Sequence, residues 1–435
     1  MKPRESETRG SKTRGSKTRD SKTRESPAME QPPSTFWQRL KQVGPALMLA
    51  AVVLGPGSLT LSTIAGSLYG YQLLWVPVAG TIFMITYTWM SARIGLVTGQ
   101  TLFQATRSKH GHTLARIGGV FGFLSIVAFQ AGNSAAIGFA ARALFGGSVR
   151  LWTVLFVALA VGLVFLPDLY EKLERLVKGV VGVMIVTFVG TVVLVGVDVP
   201  AAVGGLVPRV PDTEAAFLAL GMAATLFSIV AAVYQTYLVQ EKDWGPEDLS
   251  DQGFESILGI GVLGTVAIVV LLTSAGAIYG TGDPVFSARG MASQLEPLVG
   301  PGAFYLFTIG FFFASLSSLV VNPLIGGTLL ADGFGQEASM DGRPVKGWTT
   351  VALGIGMIVV LVFNGSPVEL LRIAQGLAVV AFPVLGFLVL SLARDRALMG
   401  QYANATWVHG IAVMGYVALL GIALNYARQI LNSTL

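Results

Sequence analysis

The sequence contains no cysteine, only three histidines and little charge, with Asp, Glu, Lys and Arg making up 12% of its 435 residues. The absence of cysteine excludes disulfides, thiolate metal sites and cysteine nucleophiles. A soluble domain carries about 25% charged residues, whereas this chain is 53% hydrophobic with a mean hydropathy of +0.67. Most of its surface must therefore face lipid, and the sequence predicts an all-α polytopic membrane protein. His110, His112 and His409 lie in or beside predicted loops, so no histidine metal cluster is expected within the membrane.

The positive charge is concentrated in the first 34 residues. This stretch has nine Lys/Arg and five Asp/Glu, so it supplies +4 of the formal net charge of +5. It also repeats the pentapeptides SKTRG, SKTRD and SKTRE between residues 11 and 25. Such a polar repeat cannot bury enough apolar area to fold. We therefore expect residues 1–34 to be a disordered basic cytoplasmic tail, either a solvated extension or a segment attracted to anionic headgroups.

Eleven apolar segments follow the tail, and their short connections leave no room for a separate soluble domain. If the N-terminus is cytoplasmic, 14 Lys/Arg outside the tail fall on the inner side and six on the outer side. The positive-inside rule favours this orientation, which places the C-terminus outside a plasma or inner membrane. The segments lie near residues 43–68, 72–96, 114–145, 150–167, 174–197, 213–240, 254–279, 301–331, 348–364, 368–393 and 406–427.

The first segment is interrupted near its middle by Gly55, Pro56, Gly57 and Ser58. Proline removes a backbone donor and glycine loosens a helix, so this stretch can unwind. Unwound backbone at membrane depth is tolerated only where it is buried in protein or lines a cavity. Broken helices of this kind form solute and ion sites in transporters, although a simple proline kink is the alternative interpretation.

The sixth segment is unusually rich in polar residues for a helix that faces lipid, and Thr225, Ser228 and Gln235 are among them. Each of these groups can bond to its own backbone or to a neighbouring helix. Taken together they favour a cavity that faces the interruption in the first segment.

Several stretches after residue 40 resemble the natural resistance-associated macrophage protein (Nramp) family of divalent-metal transporters, in that family's order. They are GYQLLW from residue 70, ARIGLVTG from residue 92, LYEKLERLVK from residue 169, ASLSSLVVNPLIGGTLLADGF from residue 314 and AQGLAVVAFPVLGF from residue 374. The resemblance implies a transmembrane domain at residues 35–435 with the LeuT-type architecture. Its two inverted five-helix repeats would span about 43–197 and 213–393, followed by a final helix near 406–427, and it would work by alternating access.

The chain departs from the family where the family binds metal. The family has DPGN at the break in the first span, and here Gly55 and Ser58 replace the Asp and Asn that bind the ion. The family's MPH segment, which supplies a methionine ligand, corresponds to residues 228–230, beginning at Ser228. A further family histidine corresponds to Gln235.

The family's proton route is altered too. Acidic residues of that route correspond to Gln130 and Asn133 in the third span. These amides do not titrate, so proton coupling by the family's relay is not expected. Gln375 does match a family glutamine near the metal.

These departures lead to three hypotheses. The leading one is a secondary transporter, not an enzyme, with altered selectivity and weak or no transition-metal transport. The second is a transporter of a largely hydrated divalent ion such as magnesium, which dehydrates reluctantly, and the third is a receptor or scaffold that has lost transport. The expected partners are the lipid bilayer and a small inorganic ion or small polar solute, with no nucleic acid, no cofactor and no side-chain metal ligands. The residues expected to contact the substrate are Gly55, Pro56, Gly57, Ser58, Thr225, Ser228, Gln235 and Gln375.

Overall fold

The computed structural model describes residues 55–242, 244–282 and 285–434, with the side chains of 167–178, 180–181 and most of 422–434 left aside. The predicted tail at residues 1–34 and the first half of the first span lie outside the described residues. Within the described ranges the chain forms eighteen α-helices and no β-strand.

The helices are numbered in chain order. They are α1 (Pro56–Tyr69), α2 (Trp75–Thr98), α3 (Leu102–His110), α4 (His112–Phe145), α5 (Val149–Val164), α6 (Pro167–Val195), α7 (Val199–Gly204), α8 (Thr213–Leu226), α9 (Ile229–Glu241), α10 (Leu249–Ala277), α11 (Ala288–Ala292), α12 (Glu296–Val299), α13 (Ala303–Gly333), α14 (Arg343–Val362), α15 (Pro367–Leu377), α16 (Phe382–Arg394), α17 (Arg396–Met399) and α18 (Thr406–Thr434).

The long helices account for the predicted spans. Six helical stretches in the described ranges are long and apolar enough to cross a membrane, and three shorter apolar helices accompany them. Together with α1 and α2, these helices correspond to the eleven predicted apolar segments. Two predicted spans are each divided in the structure, because residues 213–240 form α8 and α9 and residues 368–393 form α15 and α16.

Close helix crossings at glycine pack the helices of the bundle tightly against one another. The antiparallel pair α4 and α13 touches where a Cβ on Gly119 would lie 2.9 Å from the Cα of Gly333. Helix α1 approaches α10 so closely that a Cβ on Gly66 would lie 2.4 Å from the carbonyl oxygen of Leu271. Small residues allow such approach between membrane helices, where packing rather than the hydrophobic effect drives association. These contacts fix α1, α4 and α13 around the site described below.

Polar ties close the two ends of the bundle. At one end, called the Asp332 end, the carboxylate of Asp332 accepts hydrogen bonds from Thr101 Oγ1, Tyr237 OH and Arg107 Nη2. At the other end, called the Asp212 end, the Tyr69 hydroxyl donates to Asp212 Oδ1 at 2.8 Å. A second tie at the Asp212 end joins α15 to α8 through an ion pair between Arg372 and Glu214.

Candidate functional site

A small cavity lies where α1 begins and where α8 gives way to α9. The space open to the centres of water molecules is about 40 Å³, which corresponds to roughly three water molecules at ~10–15 Å³ each. Its walls come from α1, α4, α8, α9, α13 and α15. The lining residues are Gly55, Gly57, Ser58, Ile126, Phe129, Asn133, Thr225, Ser228, Val230, Ala231, Asn322, Ile325 and Gln375.

The wall from α1 is the buried start of that helix. Gly55 has extended backbone angles (φ −79°, ψ 171°) and Pro56 occupies the first helical turn, where its missing N–H would have no helical partner in any case. The Ser58 hydroxyl donates to the carbonyl oxygen of Gly55 at 3.0 Å. The sequence therefore begins a helix at the cavity, and Ser58 keeps its oxygen lone pairs available to accept from a solute.

The wall from the sixth span is a break without a local sequence signal. Phe227 and Ser228 leave the helical region, with ψ values of 65° and 97°. The Phe227 ring packs between Tyr87 and Phe382, with ring centroids 5.0 and 4.7 Å away. Ser228 makes no side-chain cap to α9, so the first N–H groups of that helix, whose residues Val230 and Ala231 line the cavity, have no capping side chain from Ser228. Thr225 instead turns its hydroxyl to the carbonyl of Met222 at 2.9 Å.

Gln375 covers the cavity from α15, just before the 3₁₀ turn at Ala378–Ala381. A Cβ on Gly57 would lie 2.5 Å from its Cδ, and a Cβ on Gly132 would lie 3.2 Å from its Nε2. Two glycines therefore make room for this carboxamide. Its Oε1 is buried and has no hydrogen-bond partner among the described residues. A buried acceptor without a partner is uncommon, and this one is available to a donor on a bound solute.

The two amides on α4 have different surroundings. Asn133 lines the cavity, and its Nδ2 donates to the carbonyl of Ser318 at 3.4 Å. Gln130 does not line the cavity, and its Nε2 donates at 3.4 Å to the carbonyl of Leu319. Pro323 lies four residues further on inside α13 and lacks the N–H that would normally bond to this carbonyl. Gln130 thus provides a donor for a carbonyl that the proline leaves free.

The structure brings together most, but not all, of the residues expected to contact the substrate. Gly55, Gly57, Ser58, Thr225, Ser228 and Gln375 line one cavity. Pro56 and Gln235 do not line it. Gln235 is buried in α9 seven residues after Ser228, about 10 Å along the helix axis.

Asn322 is a site residue that the sequence analysis did not single out. It lies on α13 immediately before Pro323, is half-buried, and faces the cavity. An Asn-Pro pair in the middle of an otherwise apolar helix was the available signal, because such pairs usually mark turns.

The donor set of the cavity consists of hydroxyls, amides and backbone groups. None of the described residues that line it is Asp, Glu, His, Cys or Met. Residues 42–54, which precede α1 in the sequence, contain no acid, histidine or cysteine and one methionine, Met48. Across the described ranges, no group of three or more His, Cys, Asp or Glu side chains is placed to hold a metal ion.

Comparisons with known proteins agree with this architecture. Residues 46–428 match the family model described as natural resistance-associated macrophage protein-like. The divalent metal cation transporter MntH of Acidiphilium cryptum is 26% identical over 407 residues, which cover 89% of this chain and 90% of that protein. The divalent metal cation transporter MntH 1 of Pseudomonas aeruginosa is 27% identical over 400 residues, with coverages of 88% and 91%.

Solved structures share the fold at low identity. A mutant of the Eremococcus coleocola manganese transporter superposes with a TM-score of 0.74 at 20% identity, covering 91% of this chain and 88% of that one. MhsT in complex with L-phenylalanine superposes with a TM-score of 0.59 at 15% identity, covering 87% and 98%. The expected all-α, LeuT-type architecture is confirmed.

Proposed function

This chain belongs to the Nramp family, and on that premise we propose that its substrate is a small polar solute or a monovalent ion rather than a dehydrated transition-metal ion. The protein is an integral membrane transporter and not an enzyme. The curated relatives carry the name of divalent metal cation transporters. The observation that supports the proposal is the composition of the cavity, whose described lining residues offer no anionic, imidazole or sulfur ligand.

The chemistry of divalent ions argues against a dehydrated metal in this cavity. Transition metals prefer imidazole, sulfur or carboxylate ligands. Moving a charge into a low-dielectric site without a counter-charge costs several kcal/mol even after relaxation. Ser58, Ser228 and Gln375 supply neutral oxygens only, so they compensate a divalent charge poorly.

The electrostatics of the helix ends point the same way. Both α1 and α9 begin at the cavity, where Gly57, Ser58, Val230 and Ala231 line it. A helix start carries roughly half a positive elementary charge, and its free N–H groups seek acceptors. The described walls therefore suit a solute that presents hydrogen-bond acceptors to α1 and α9 and a donor to the free Oε1 of Gln375.

The size of the cavity argues against the second hypothesis, which is transport of a largely hydrated divalent ion such as magnesium. A fully hydrated magnesium ion carries six waters in octahedral geometry, whereas the space of about 40 Å³ corresponds to roughly three. A solute of about three heavy atoms, or an ion that has lost part of its hydration shell, fits this state of the cavity better.

We also propose the orientation and the coupling. The Asp332 end contains Arg93, Arg107, Lys109 and Lys242, which belong to the 14 basic residues expected inside, so the Asp332 end faces the cytoplasm. Gln130 and Asn133 do not titrate, and Gln130 is held by the carbonyl of Leu319. Uptake is therefore expected not to depend on protonation of the third span.

Uptake into proteoliposomes tests the proposal. The uptake rates of wild-type protein are compared for manganese, magnesium, monovalent cations and small neutral polar solutes. We expect saturable uptake of a solute or monovalent ion and no saturable manganese uptake. The KM for the transported substrate should be higher in S58A and S228A than in wild type. S67A is the matched control, because Ser67 lies on the same helix, makes the same bond to the carbonyl three residues earlier and does not line the cavity.

A variant in which the family's metal ligands are restored distinguishes a wrongly assigned site from a protein preparation that is inactive. G55D/S58N/S228M returns the acid, amide and sulfur that the family has at these positions, and manganese uptake should appear. Saturable manganese uptake by wild type that is lost in S58A or S228A would show the proposal to be wrong. If no probe is transported although the restored variant moves manganese, a receptor or scaffold role becomes the better account.

A further inference from the structure

A basic groove lies at the Asp332 end, well away from the solute cavity. It runs between the end of α16 and the start of α18, and α3 closes one side. Its open volume is about 600 Å³. The residues that matter are Lys109, Phe387, Leu390, Arg394, Arg396 and His409.

The charges in the groove are unevenly compensated. Lys109 Nζ lies 2.7 Å from Asp395 Oδ2 and also donates to the carbonyl of Ser391 at 3.1 Å. Asp395 further accepts from the backbone N–H of Ala397, which caps α17, so this carboxylate is committed to Lys109 and to the helix start. Arg394 and Arg396 are exposed and have no ion pair among the described residues. The groove thus keeps two positive charges without a counter-charge.

The wall beneath these charges is apolar and faces outward. Phe387 is 46% exposed and Val413 is 37% exposed, on neighbouring helices α16 and α18. In a membrane protein the arrangement matches a lipid, whose acyl chains lie against the apolar wall while the headgroup meets the charges.

An aromatic residue indicates the depth of the groove in the bilayer. Trp407 is 69% exposed and stands two residues before His409 on α18, about 3 Å along the helix axis. Exposed tryptophans concentrate at the level of the lipid headgroups. The guanidinium groups of Arg394 and Arg396 therefore lie where phosphate groups are found, at the end of the bundle that carries the inner basic residues.

We propose that this groove binds the phosphate headgroup of an anionic phospholipid from the cytoplasmic leaflet. Arg394 and Arg396 contact the phosphate, and Phe387, Leu390 and Val413 contact the acyl chains. The occupied groove adds a further contact between α16 and α18, which also meet where the Tyr416 ring packs on Phe382 and its hydroxyl donates to the carbonyl of Pro383 at 2.8 Å.

Native mass spectrometry of the detergent-purified full chain tests this site. The probes are phosphatidylglycerol, phosphatidylcholine of the same acyl chains, and inorganic phosphate. We expect phosphatidylglycerol to be retained at one copy per chain and phosphatidylcholine to be lost. R394Q/R396Q should weaken phosphatidylglycerol binding about 30-fold, because each arginine loses a direct contact with the phosphate.

The matched control is R116Q/R343Q, which removes the same charge from two other exposed arginines on the inner side that do not line the groove. It should change phosphatidylglycerol retention less than about 3-fold, since diffuse attraction contributes little to a defined site. Equal losses in the two double variants, or equal retention of phosphatidylcholine, would overturn the proposal. Displacement of the lipid by inorganic phosphate alone would do so as well, because it would identify a soluble-anion site. Unchanged elution volumes of the variants exclude misfolding.

Discussion

Replacing Asp332 with Asn should destabilise the Asp332 end of the bundle more than any exposed change of the same kind. The residue is 1% exposed, and its carboxylate accepts from Tyr237 OH at 2.7 Å and from Arg107 Nη2 at 2.8 Å, besides Thr101 Oγ1. Asparagine keeps one acceptor oxygen and turns an N–H₂ group toward donors. Breaking a buried pair by removing one charge costs about 3–5 kcal/mol.

The lower end of that range applies, because the Arg107 side chain is 18% exposed and recovers some hydration. A decrease of about 3 kcal/mol in the free energy of unfolding of a chain of this size lowers the melting temperature by roughly 3–10 °C. The measurement is thermal unfolding of purified D332N by intrinsic fluorescence. D341N is the matched control, because Asp341 is 80% exposed in its ion pair with Lys346, and such a pair is worth at most about 1 kcal/mol.

The same substitution should loosen access to the solute cavity. The bonds of Asp332 join α13 to the α2–α3 corner and to α9. In a chain without native cysteine, N322C places a single thiol at the cavity. Its modification by a thiol reagent supplied from the inner side should be faster in N322C/D332N than in N322C. Equal melting temperatures for D332N and D341N, together with equal modification rates, would refute this account of Asp332.

Three further predictions concern the site and the Asp212 end. G57A places a methyl group 2.5 Å from the Cδ of Gln375. We therefore expect solute uptake to fall several-fold while the free energy of unfolding changes by less than about 1–2 kcal/mol. Normal uptake by G57A would contradict this. Q130L removes the donor to a proline-freed carbonyl and should cost about 1–3 kcal/mol in unfolding, without shifting the pH profile of uptake. The pKa of Asp212 lies below its ordinary value because its carboxylate accepts from the backbone N–H of residue 215 and from the Tyr69 hydroxyl. The ionised carboxylate therefore stabilises the folded protein at pH values above the ordinary pKa. This stabilisation is lost as the pH falls through the lowered pKa of the folded state. Melting temperatures should therefore be flat from neutral pH to about 5 and then fall, with a smaller fall in Y69F.

Much of the architecture could be predicted because it depends on local chemistry. The apolar segments follow from hydropathy, and the start of α1 at Pro56 follows from a proline flanked by glycines. The family resemblance then places residues from distant segments at one cavity, and Ser58, Ser228 and Gln375 do meet there. Ser58 was found from the proline and glycines beside it, whereas Ser228 and Gln375 were found mainly from the family resemblance.

What could not be predicted depends on how helices pair. The break at Phe227 has no proline or glycine, and it is held by the aromatic contacts of its ring with α2 and α16. Gln130 has a structural partner, the carbonyl of Leu319, that only the α4–α13 pairing reveals. Gln235 was placed near the site by the polar density of the sixth segment and by alignment, although its distance of about two turns from the break sets it apart from the cavity.

The central claim is that the frame of the family's metal site persists here without its ligands. Calorimetric titration of purified protein with manganese tests it most directly, with the G55D/S58N/S228M variant titrated in parallel. The account predicts no saturable binding to wild type below about 1 mM and measurable binding to the variant. Micromolar manganese binding to wild type that disappears in S58A, with no gain in the variant, would contradict it.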